Sequence, residues 1–548
     1  MDSQCYPISA LPGATPLFRD FAENGTAAQP ALLRRWYPTN PFSMEWASHS
    51  PVLEPGQGAR LAEALRVQAE SFGAGDAVFA NIERLKNGAA AVVTGQQVVL
   101  FGGPLLTLLK AATAIRKAQD ATKASGREHV PIFWLASEDH DLAEVDQVAL
   151  LSKTAVETLT LGLKSVRPVP VGSLPIDGGS EQGLHHLEAT LNRASELLGW
   201  APIASVLREC YTPGATLASA FGRLLTKIFA DYGLIVMDAA SRDFHAMGAS
   251  VLRAALERAD ELEDALLVRS QDLEAAGYHA QVLVTADHSL LFLIDAETGS
   301  RLPLRRTPEG DWKAGARVYS TPELLVILAA EPECLSPNAL LRPVFQDAIL
   351  PTTAYIAGPA EIAYFAQSEV LYTRILGHVT PVLPRLMATL VEPAIASTMA
   401  AHEVQFLQVL EAKTIEDLAL SLGARAMPIE GKRKIAAVGN AMDAELTALT
   451  EYMTAMSADL GRAAGVSASK MRYQLNRLRR MAANFELQKQ ASLNKHAAAI
   501  MLSLYPEGHL QERLLGGVWF LARYGDALPT LLVDHASQEC PGHRVVYL

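Results

Sequence analysis

The residues of this sequence best equipped for chemistry are the acidic side chains and the histidine that follow an apolar strand. Val130–Ala136 is apolar throughout and predicts a buried strand, after which come Glu138, Asp139, His140 and Asp141. Carboxylates and an imidazole at a strand end can move a proton at an amine or bind a sugar hydroxyl. Successive side chains alternate in direction, so only two or three of the four can converge. N-capping of the following helix is the simpler alternative, but so dense a polar group favours a solvated crevice with a function.

A second group of candidates lies where the preceding strand ends. Residues Ala89–Lys110 predict a buried strand, a polar loop with glycines and a helix opened by Pro104. Glycines let a ligand approach the backbone, and the free N–H groups of a helix start favour a phosphate or a carboxylate. The loop is neither a Walker A pattern nor GxGxxG, and a tight structural turn is the competing interpretation. The candidate binding residues are Gly95, Gln96, Gln97, Phe101, Gly102, Gly103 and Lys110.

A third group surrounds an arginine in the second half of the chain. On a helix, Asn338, Arg342 and Gln346 would share one face because they are four residues apart. Arg342 could grip a carboxylate or a phosphate with two parallel hydrogen bonds. An internal salt bridge from Arg342 to Asp347 or Glu361 fits the spacing equally well.

Two smaller sets complete the candidates. Gly358 and Glu361 stand at another junction between a strand and a helix, where Glu361 could act only as a partner of the helix dipole. Near the C-terminus, the polar loop that contains Tyr505, Gln511 and Arg513 could form a second ligand pocket. A loop that seals a helical arm onto the core is the alternative for that segment.

The strands determine how these groups could meet. Both strands of the first half end in polar residues, and a further buried strand, Gly233–Asp238, ends in the same way. The carboxyl ends of parallel strands share one edge of a sheet, where α/β proteins bind ligands. The sequence therefore predicts an α/β fold with a Rossmann-like parallel-sheet core and a functional crevice at that edge.

Insertions and a helical arm interrupt this core. Gln281–Thr285 and Ser289–Asp295 flank residues 286–288 and predict an antiparallel hairpin, and the run LPTLLVD near the C-terminus is strand-like. The predicted organisation is an N-terminal wrap with the first half of the core, insertion 1, a core strand with helices, insertion 2, the second half of the core, a coiled-coil arm and a C-terminal return to the core. The corresponding ranges are 1–150, 151–215, 216–262, 263–335, 336–392, 393–503 and 504–548.

The arm carries apolar residues in steps of three and four, which is typical of a coiled coil. A first run holds Met442, Leu446, Leu449, Met453, Met456, Leu460 and Ala463, and a second holds Leu475, Leu478, Met481 and Phe485. The segment GVSAS between the two runs predicts a loop, so two antiparallel helices are expected. A hairpin that closes on itself and a self-associating coiled coil both fit this pattern.

Bulk composition narrows the function classes. The net charge is −12, with 59 acidic and 47 basic residues, which argues against a broad nucleic-acid-binding surface. The four cysteines are far apart without ligand spacing, which indicates a reducing compartment and no zinc site built on paired cysteines. We see neither a signal peptide nor an apolar run long enough to span a bilayer. We therefore expect a soluble, cytoplasmic protein.

Four blocks of the sequence together resemble one known family. They are TGQQVVLFGGPLLTLLKA, PIFWLASEDHDLAEV, SPNALLRPVFQDAILPTTAYIAGPAEIAYFAQ and YPEGHLQERLL. Their order and spacing resemble the cysteine ligase family of bacillithiol biosynthesis (BshC), and the resemblance covers essentially the whole chain. It implies a core related to class I aminoacyl-tRNA synthetases and nucleotidyltransferases, two connecting-peptide insertions and a coiled-coil arm that forms a homodimer.

The resemblance also implies a reaction, in which L-cysteine is joined to the amine of glucosaminyl malate. Carboxyl activation would use ATP, with ADP as a related ligand and Mg²⁺ as an option beside the nucleotide; zinc is not expected. The expected roles are proton acceptance from the amine by Asp139, His140 or Asp141 and charge stabilisation by Arg342. Two alternatives stay open: another class I-like ligase or nucleotidyltransferase with a different amine acceptor, and a non-catalytic nucleotide-binding dimeric scaffold.

Overall fold

The structure is a computed structural model, and most of the chain belongs to regular helices and strands. The strands are β1 (Ser3–Tyr6), β2 (Ala90–Gln96), β3 (His129–Leu135), β4 (Gln147–Leu151), β5 (Val156–Thr160), β6 (Ile235–Asp238), β7 (Leu291–Ile294), β8 (Arg301–Pro303), β9 (Arg305–Arg306), β10 (Trp312–Ala314), β11 (Arg317–Tyr319), β12 (Leu335–Pro337), β13 (Thr352–Ala357), β14 (Val382–Pro384), β15 (Ala388–Val391) and β16 (His543–Tyr547). The residues that the structure describes are 3–23, 33–49, 51, 53, 56–285, 289–537 and 540–548.

Helices cover these sheets and form the arm. The α-helices are α1 (Pro16–Glu23), α2 (Gln57–Phe72), α3 (Asp76–Lys86), α4 (Leu106–Ser125), α5 (Leu142–Val145), α6 (Glu181–Leu197), α7 (Pro202–Cys210), α8 (Leu217–Ile228), α9 (Arg242–Glu257), α10 (Ala259–Ala275), α11 (Thr321–Ala330), α12 (Arg342–Ile349), α13 (Pro359–Ile375), α14 (Pro393–Ala401), α15 (Phe406–Glu411), α16 (Ile415–Ala426), α17 (Ile429–Met456), α18 (Ala458–Lys489), α19 (Ala491–Leu504), α20 (Gln511–Leu514), α21 (Gly517–Tyr524) and α22 (Ala527–His535). No helix in the described ranges is long and apolar enough to cross a membrane.

The core is a five-stranded sheet in the order β14-β13-β2-β3-β6, and every pairing in it is parallel. All seven residues of β3 and the first six of β2 are buried, as expected for strands covered on both faces. This sheet confirms the predicted Rossmann-like α/β core. The chain leaves β2 through α4 and enters β3 on one side, while β13 lies on the other side. The resulting switch point between β2 and β13 opens a crevice at the carboxyl edge.

The predicted hairpin in the second insertion is wrong. β7 is a strand, but its antiparallel partners are β8 and β12, and Gln281–Thr285 forms no strand. The expected turn at residues 286–288 lies outside the described residues. Alternating apolar residues favour a strand but do not identify its partner, which explains the error.

The turn of the helical arm also differs from the prediction. GVSAS lies inside α18, and the break comes at Ser457, whose side-chain oxygen accepts a hydrogen bond from Asp459 N and caps α18. Arg472 pairs with Asp443, and a Cβ on Gly461 would touch Thr454, so α17 and α18 run antiparallel as expected. An N-cap serine therefore ends the first helix, while the small residues of GVSAS continue the second.

The C-terminal segment contains a strand, but not at the predicted position. LPTLLVD is part of α22, because a short apolar run does not distinguish a strand from a buried helix. The C-terminal strand is β16, which lies between β1 and β15. It is antiparallel to β1 and parallel to β15, so the two ends of the described chain share one sheet.

Two of the four cysteines are bonded to each other, which the expectation of a reducing compartment did not predict. Cys5 and Cys540 form a disulfide with their Cα atoms 5.9 Å apart, whereas Cys210 and Cys334 are free. The partners are 535 residues apart in sequence, so spacing could not reveal them. The terminal sheet brings them together.

We expect loss of this disulfide to destabilise the terminal sheet. Cys5→Ser removes a cross-link that restricts the unfolded chain, which costs about 2–4 kcal/mol. Denaturant unfolding under oxidising conditions should show the loss, and dithiothreitol should reproduce it in the unsubstituted protein. The matched control, Cys334→Ser, should unfold like the unsubstituted protein. Equal unfolding midpoints for Cys5→Ser and the unsubstituted protein would contradict this prediction.

Candidate functional site

The crevice at the switch point encloses about 570 Å³ and collects candidates from distant parts of the sequence. Among its lining residues are Gly95, Gln96, Gln97, Lys110, Asp139, Arg342, Gly358, Glu361 and Arg513. The lining does not contain Phe101, Gly102, Gly103, Glu138, His140, Asp141, Asn338, Gln346, Tyr505 or Gln511.

A buried ion pair joins the helices on the two sides of the switch point. Lys110 Nζ lies 2.6 Å from a Glu361 carboxylate oxygen, and it also donates to Gly95 O at 2.6 Å and to Gln96 Oε1 at 3.0 Å. These contacts occupy all three N–H donors of the ammonium group. Burial lowers the pKa of Lys110, although Glu361 opposes the shift. Burial would raise the pKa of Glu361, but Lys110 outweighs it and holds that pKa below its usual range.

Two carboxylates meet at the wall of the crevice. Gln97 Nε2 donates to Asp139 Oδ2 at 2.7 Å and to Glu144 Oε2 at 2.9 Å. The other oxygen of Asp139 accepts a hydrogen bond from the backbone N–H of His140. One amide group thus holds both carboxylates, where they can attract an amine. Glu144, in the first turn of α5, was not among the predicted residues.

Arg342 lies beside the Lys110–Glu361 pair, to which Tyr355 connects it, and it has no carboxylate partner among the described residues. Its guanidinium donates to Gln346 Oε1 at 3.1 Å, to Tyr355 Oη at 3.2 Å and to Tyr364 Oη at 3.0 Å. The alternative salt bridges do not form: Asp347 accepts hydrogen bonds from other side chains, and Glu361 pairs with Lys110. Arg342 therefore keeps an uncompensated positive charge at the crevice.

A second buried ion pair, which sequence reasoning missed, supports the opposite wall. Arg385 donates to both carboxylate oxygens of Glu512, at 3.0 and 2.7 Å, and Glu512 also accepts from Ala388 N. Arg385 lines the crevice, and Arg513 follows Glu512 directly in the chain. The signal in the sequence was a single arginine within the apolar run of residues 382–391.

Residues 101–103 of the glycine loop form a tight turn and do not line the crevice, unlike Gly95, Gln96 and Gln97. The N–H groups of Gly102 and Gly103 donate to carbonyl oxygens of the same loop, at 3.1 and 3.0 Å. The N–H of Leu105 donates to Leu515 O, and Phe101 is fully buried with a positive φ of 51°. Because these donors are occupied, the loop fits the alternative of a structural turn better than an anion cradle. The helix also begins later than expected, at Leu106.

The polar residues after β3 have different partners and do not converge on one point. Asp141 accepts a hydrogen bond from Glu144 N and caps α5, which is the simpler alternative for that residue. Glu138 lies 3.0 Å from His245, which is fully buried. His140 Nδ1 lies 3.3 Å from a guanidinium nitrogen of Arg301, a buried residue of the second insertion. This contact joins the end of β3 to the second insertion.

The remaining candidates have structural contacts. Asn338 precedes α12, contrary to the prediction that it shares a helix face with Arg342, and its Oδ1 accepts from two following N–H groups. Gln346 is buried beside Arg342. Gln511 ties Ser503 to β15, which supports the sealing alternative for its loop. Tyr505 is 9% exposed and, like Gln511, does not contribute to the crevice.

Comparisons with known proteins agree on one family over the whole chain. Residues 1–386 match the family model "Bacillithiol biosynthesis BshC, N-terminal Rossmann-like domain", and residues 388–548 match the model for the C-terminal coiled-coil domain of the same family. A relative from Koribacter versatilis (strain Ellin345) is 40% identical, and one from Solibacter usitatus (strain Ellin6076) is 34% identical; each alignment covers 100% of both chains. A relative from Chlorobaculum tepidum is 31% identical over 85% of this chain and 84% of its own. All three carry the name "Putative cysteine ligase BshC".

We expect the Lys110–Glu361 pair to be essential for a stable crevice. Lys110→Met leaves a buried carboxylate without its partner, which costs roughly 3–5 kcal/mol of unfolding free energy. The double variant Lys110→Met/Glu361→Gln removes both charges and should recover more than half of this loss. Denaturant unfolding measures both values.

The exposed pair Arg253–Glu257 provides the control for that experiment. Its side chains are about half exposed, so Arg253→Met should cost less than about 1 kcal/mol. Equal losses for Lys110→Met and Arg253→Met would show that the crevice does not depend on the buried pair.

Proposed function

The chain belongs to the BshC family of bacillithiol biosynthesis, and we propose that it is a ligase that joins L-cysteine to the amine of glucosaminyl malate. The new bond is an amide between the cysteine carboxyl carbon and the sugar nitrogen. The observation that carries this proposal is that one crevice presents side chains of both charges. Gln97 holds two carboxylates together there, while Arg342 and Arg513 bring positive charge to the lining.

Such a crevice suits an acceptor that has an amine and carboxylates on the same molecule. The amine is cationic until it loses a proton, so Asp139 and Glu144 attract it before the reaction. The nitrogen must lose one proton to free the lone pair that attacks the cysteine carbonyl carbon, and a second proton as the amide forms. Asp139 accepts one of these protons, and Glu144 accepts the other. Gln97 holds both carboxylates in place.

Amide formation also requires a leaving group on the cysteine carboxyl, because a free carboxylate does not accept an amine. We propose ATP as the source: when bound, it converts the carboxylate oxygen into part of a leaving group. The position of the crevice at a Rossmann-like switch point supports a nucleotide there, and Mg²⁺ would accompany its phosphates. Arg342, which lines the crevice, would stabilise the negative charge that develops on the leaving oxygen. We propose a cytoplasmic location, where free cysteine and ATP are available.

We further propose that the enzyme is a homodimer formed through the helical arm. Apolar side chains stay exposed on both long helices: Leu449, Tyr452 and Met456 on α17, and Met471, Leu478, Met481 and Phe485 on α18, each between 52% and 66% exposed. On α18 these residues recur at heptad spacing and form one row, which a second copy could cover. Both interpretations of the heptad pattern therefore apply: α17 and α18 form a hairpin within one chain, and the exposed row of α18 joins two such hairpins in the proposed dimer.

Thiol profiling tests the reaction. We expect this chain to restore bacillithiol in a bacillithiol-producing host whose own gene is deleted, and to remove accumulated glucosaminyl malate. Asp139→Asn keeps the hydrogen-bonding shape but cannot accept the proton, so bacillithiol formation should fall about a hundredfold. Asp243→Asn, an exposed control on α9, should behave like the unsubstituted chain. Failure of the unsubstituted chain to restore bacillithiol would reject the function, and full activity of Asp139→Asn would reject the role of Asp139.

Light scattering after size exclusion tests the dimer. Leu478→Glu combined with Met481→Glu places charges in the exposed row, and we expect a dimer to become a monomer with unchanged helix content. Arg480→Glu provides the control, because it lies about 200° around the helix from Leu478. A monomeric unsubstituted protein would contradict the proposal, as would a double variant that stays dimeric.

A further inference from the structure

The disulfide between Cys5 and Cys540 lies at a cavity other than the crevice. Cys540 is one of the residues that line this second cavity, which encloses about 150 Å³. Ile8, Trp46 and Met387 also line it, and each of them is buried. A small molecule in this cavity would lie against Cys540, so the cavity and the disulfide form one candidate site.

The disulfide is accessible from the solvent. Cys5 is exposed, and Cys540 is partly exposed. Disulfides are rare in cytoplasmic proteins, and those that form there are usually transient or redox-sensing. Exposed disulfides are also among those that thiols reduce most readily. In the proposed cytoplasmic location, this bond is therefore expected to exchange with thiols and not to act as a permanent cross-link.

The lining of the cavity favours a small thiol that carries charges of both signs. Its volume is below the range of roughly 300–1,000 Å³ that is typical of pockets for drug-sized ligands. Lys117 and Asp120 line it with opposite charges, and their side chains are 24% and 21% exposed. An ammonium group can pair with Asp120 and a carboxylate with Lys117. A thiol of the amino-acid type, of which cysteine is the simplest, has both groups and fits this volume.

We infer that Cys540 is the site at which a cysteine-type thiol exchanges with the Cys5–Cys540 disulfide. The thiolate of the small molecule attacks the Cys540 sulfur, the bond between the two cysteines breaks, and a mixed disulfide forms on Cys540. Cys5 leaves as a thiolate, which water solvates because Cys5 is exposed, and it takes up the proton that the small thiol lost. A second thiol then attacks the mixed disulfide, which releases the small molecule as its own disulfide and leaves Cys540 reduced.

Exchange at Cys540 releases the first strand of the terminal sheet. β1 is an edge strand whose partner is β16, and Ser3–Tyr6 form the whole of this short ladder. A pair of strands without further support is only marginally stable, so β1 detaches more easily once the cross-link is gone. β16 keeps its second partner, β15. The inference goes beyond the proposed function and does not depend on it, although the cysteine substrate and the thiol product of that function belong to the same class.

Peptide mapping of the oxidised full-length protein tests the exchange site, with L-cysteine as the probe. After a brief reaction, acid quenching and removal of free cysteine, N-ethylmaleimide labels the thiols of the unfolded chain. We expect cysteine attached to Cys540 and the label on Cys5, while Cys210 and Cys334 are labelled with or without the probe. Hydrogen exchange at β1 should become faster after the reaction, and exchange at β3 should not change.

An exposed residue of the cavity lining provides a variant that should still fold. Met44 lines the cavity and is 44% exposed, so a larger side chain there can narrow the entrance without repacking the core. Met44→Trp should slow formation of the Cys540 adduct about tenfold, because exchange depends on access to the attacked sulfur. Val67→Trp, at a 59% exposed position of α2, is the matched control and should react like the unsubstituted protein.

Several results would overturn the inference. They are attachment of cysteine to Cys5, equal rates for Met44→Trp and Val67→Trp, and a disulfide that resists millimolar cysteine. Reduction by thioredoxin but not by cysteine would also overturn it, because the reactant would then be a protein dithiol. The proposed function fails separately, by absence of bacillithiol in the complemented strain, and that result would not alter the labelling pattern.

Discussion

The crevice depends on one buried interaction, the ion pair between Lys110 and Glu361. Strands β2 and β13 are neighbours in the sheet, and the chain continues from them into the two helices that carry these residues, α4 and α13. The pair bridges the gap at the carboxyl edge, where both side chains are nearly excluded from water. In that environment an unpaired charge is costly, so each residue requires the other. The ammonium group also binds Gly95 O and Gln96 Oε1, and this fixes the end of β2 as part of the same unit.

The rest of the site is arranged around this neutral centre. On one side, Gln97 holds Asp139 and Glu144 together, so the carboxylates come from a different strand end than the amide that orients them. Elsewhere in the site, Glu512 from the C-terminal segment neutralises Arg385, and its chain neighbour Arg513 also lines the crevice. The outcome is a crevice whose lining carries both negative and positive side chains. Such a lining can bind a substrate that has an amine and an anionic group.

Parts of this arrangement could be predicted from the sequence because they depend on local patterns. Apolar runs followed by polar residues located β2, β3 and β6 and the edge at which they end, and the resemblance to known sequences identified the family. Residues that act through partners from elsewhere were harder to recognise. Glu144 was not recognised, Arg385 lay in an apolar run, and Arg301 offered no signal before the second insertion placed it against His140. The glycine loop showed the opposite error: its composition suited anion binding, but its N–H groups are occupied by carbonyl oxygens of the chain itself.

The sequence alone therefore determined which segments are strands of a parallel core, that a long helical arm is present, and that the chemistry lies at the carboxyl edge of the sheet. These properties follow from the periodicity of side chains along a strand or a helix, which is a local quantity. Only the tertiary structure decided that Cys5 bonds to Cys540, that Lys110 pairs with Glu361, and that Arg385 and Arg513 belong to the same wall as Gly358. Those choices depend on which distant segments the packed core brings together. A charged side chain acquires its role from the partners and the burial found there, and neither can be read from its neighbours in sequence.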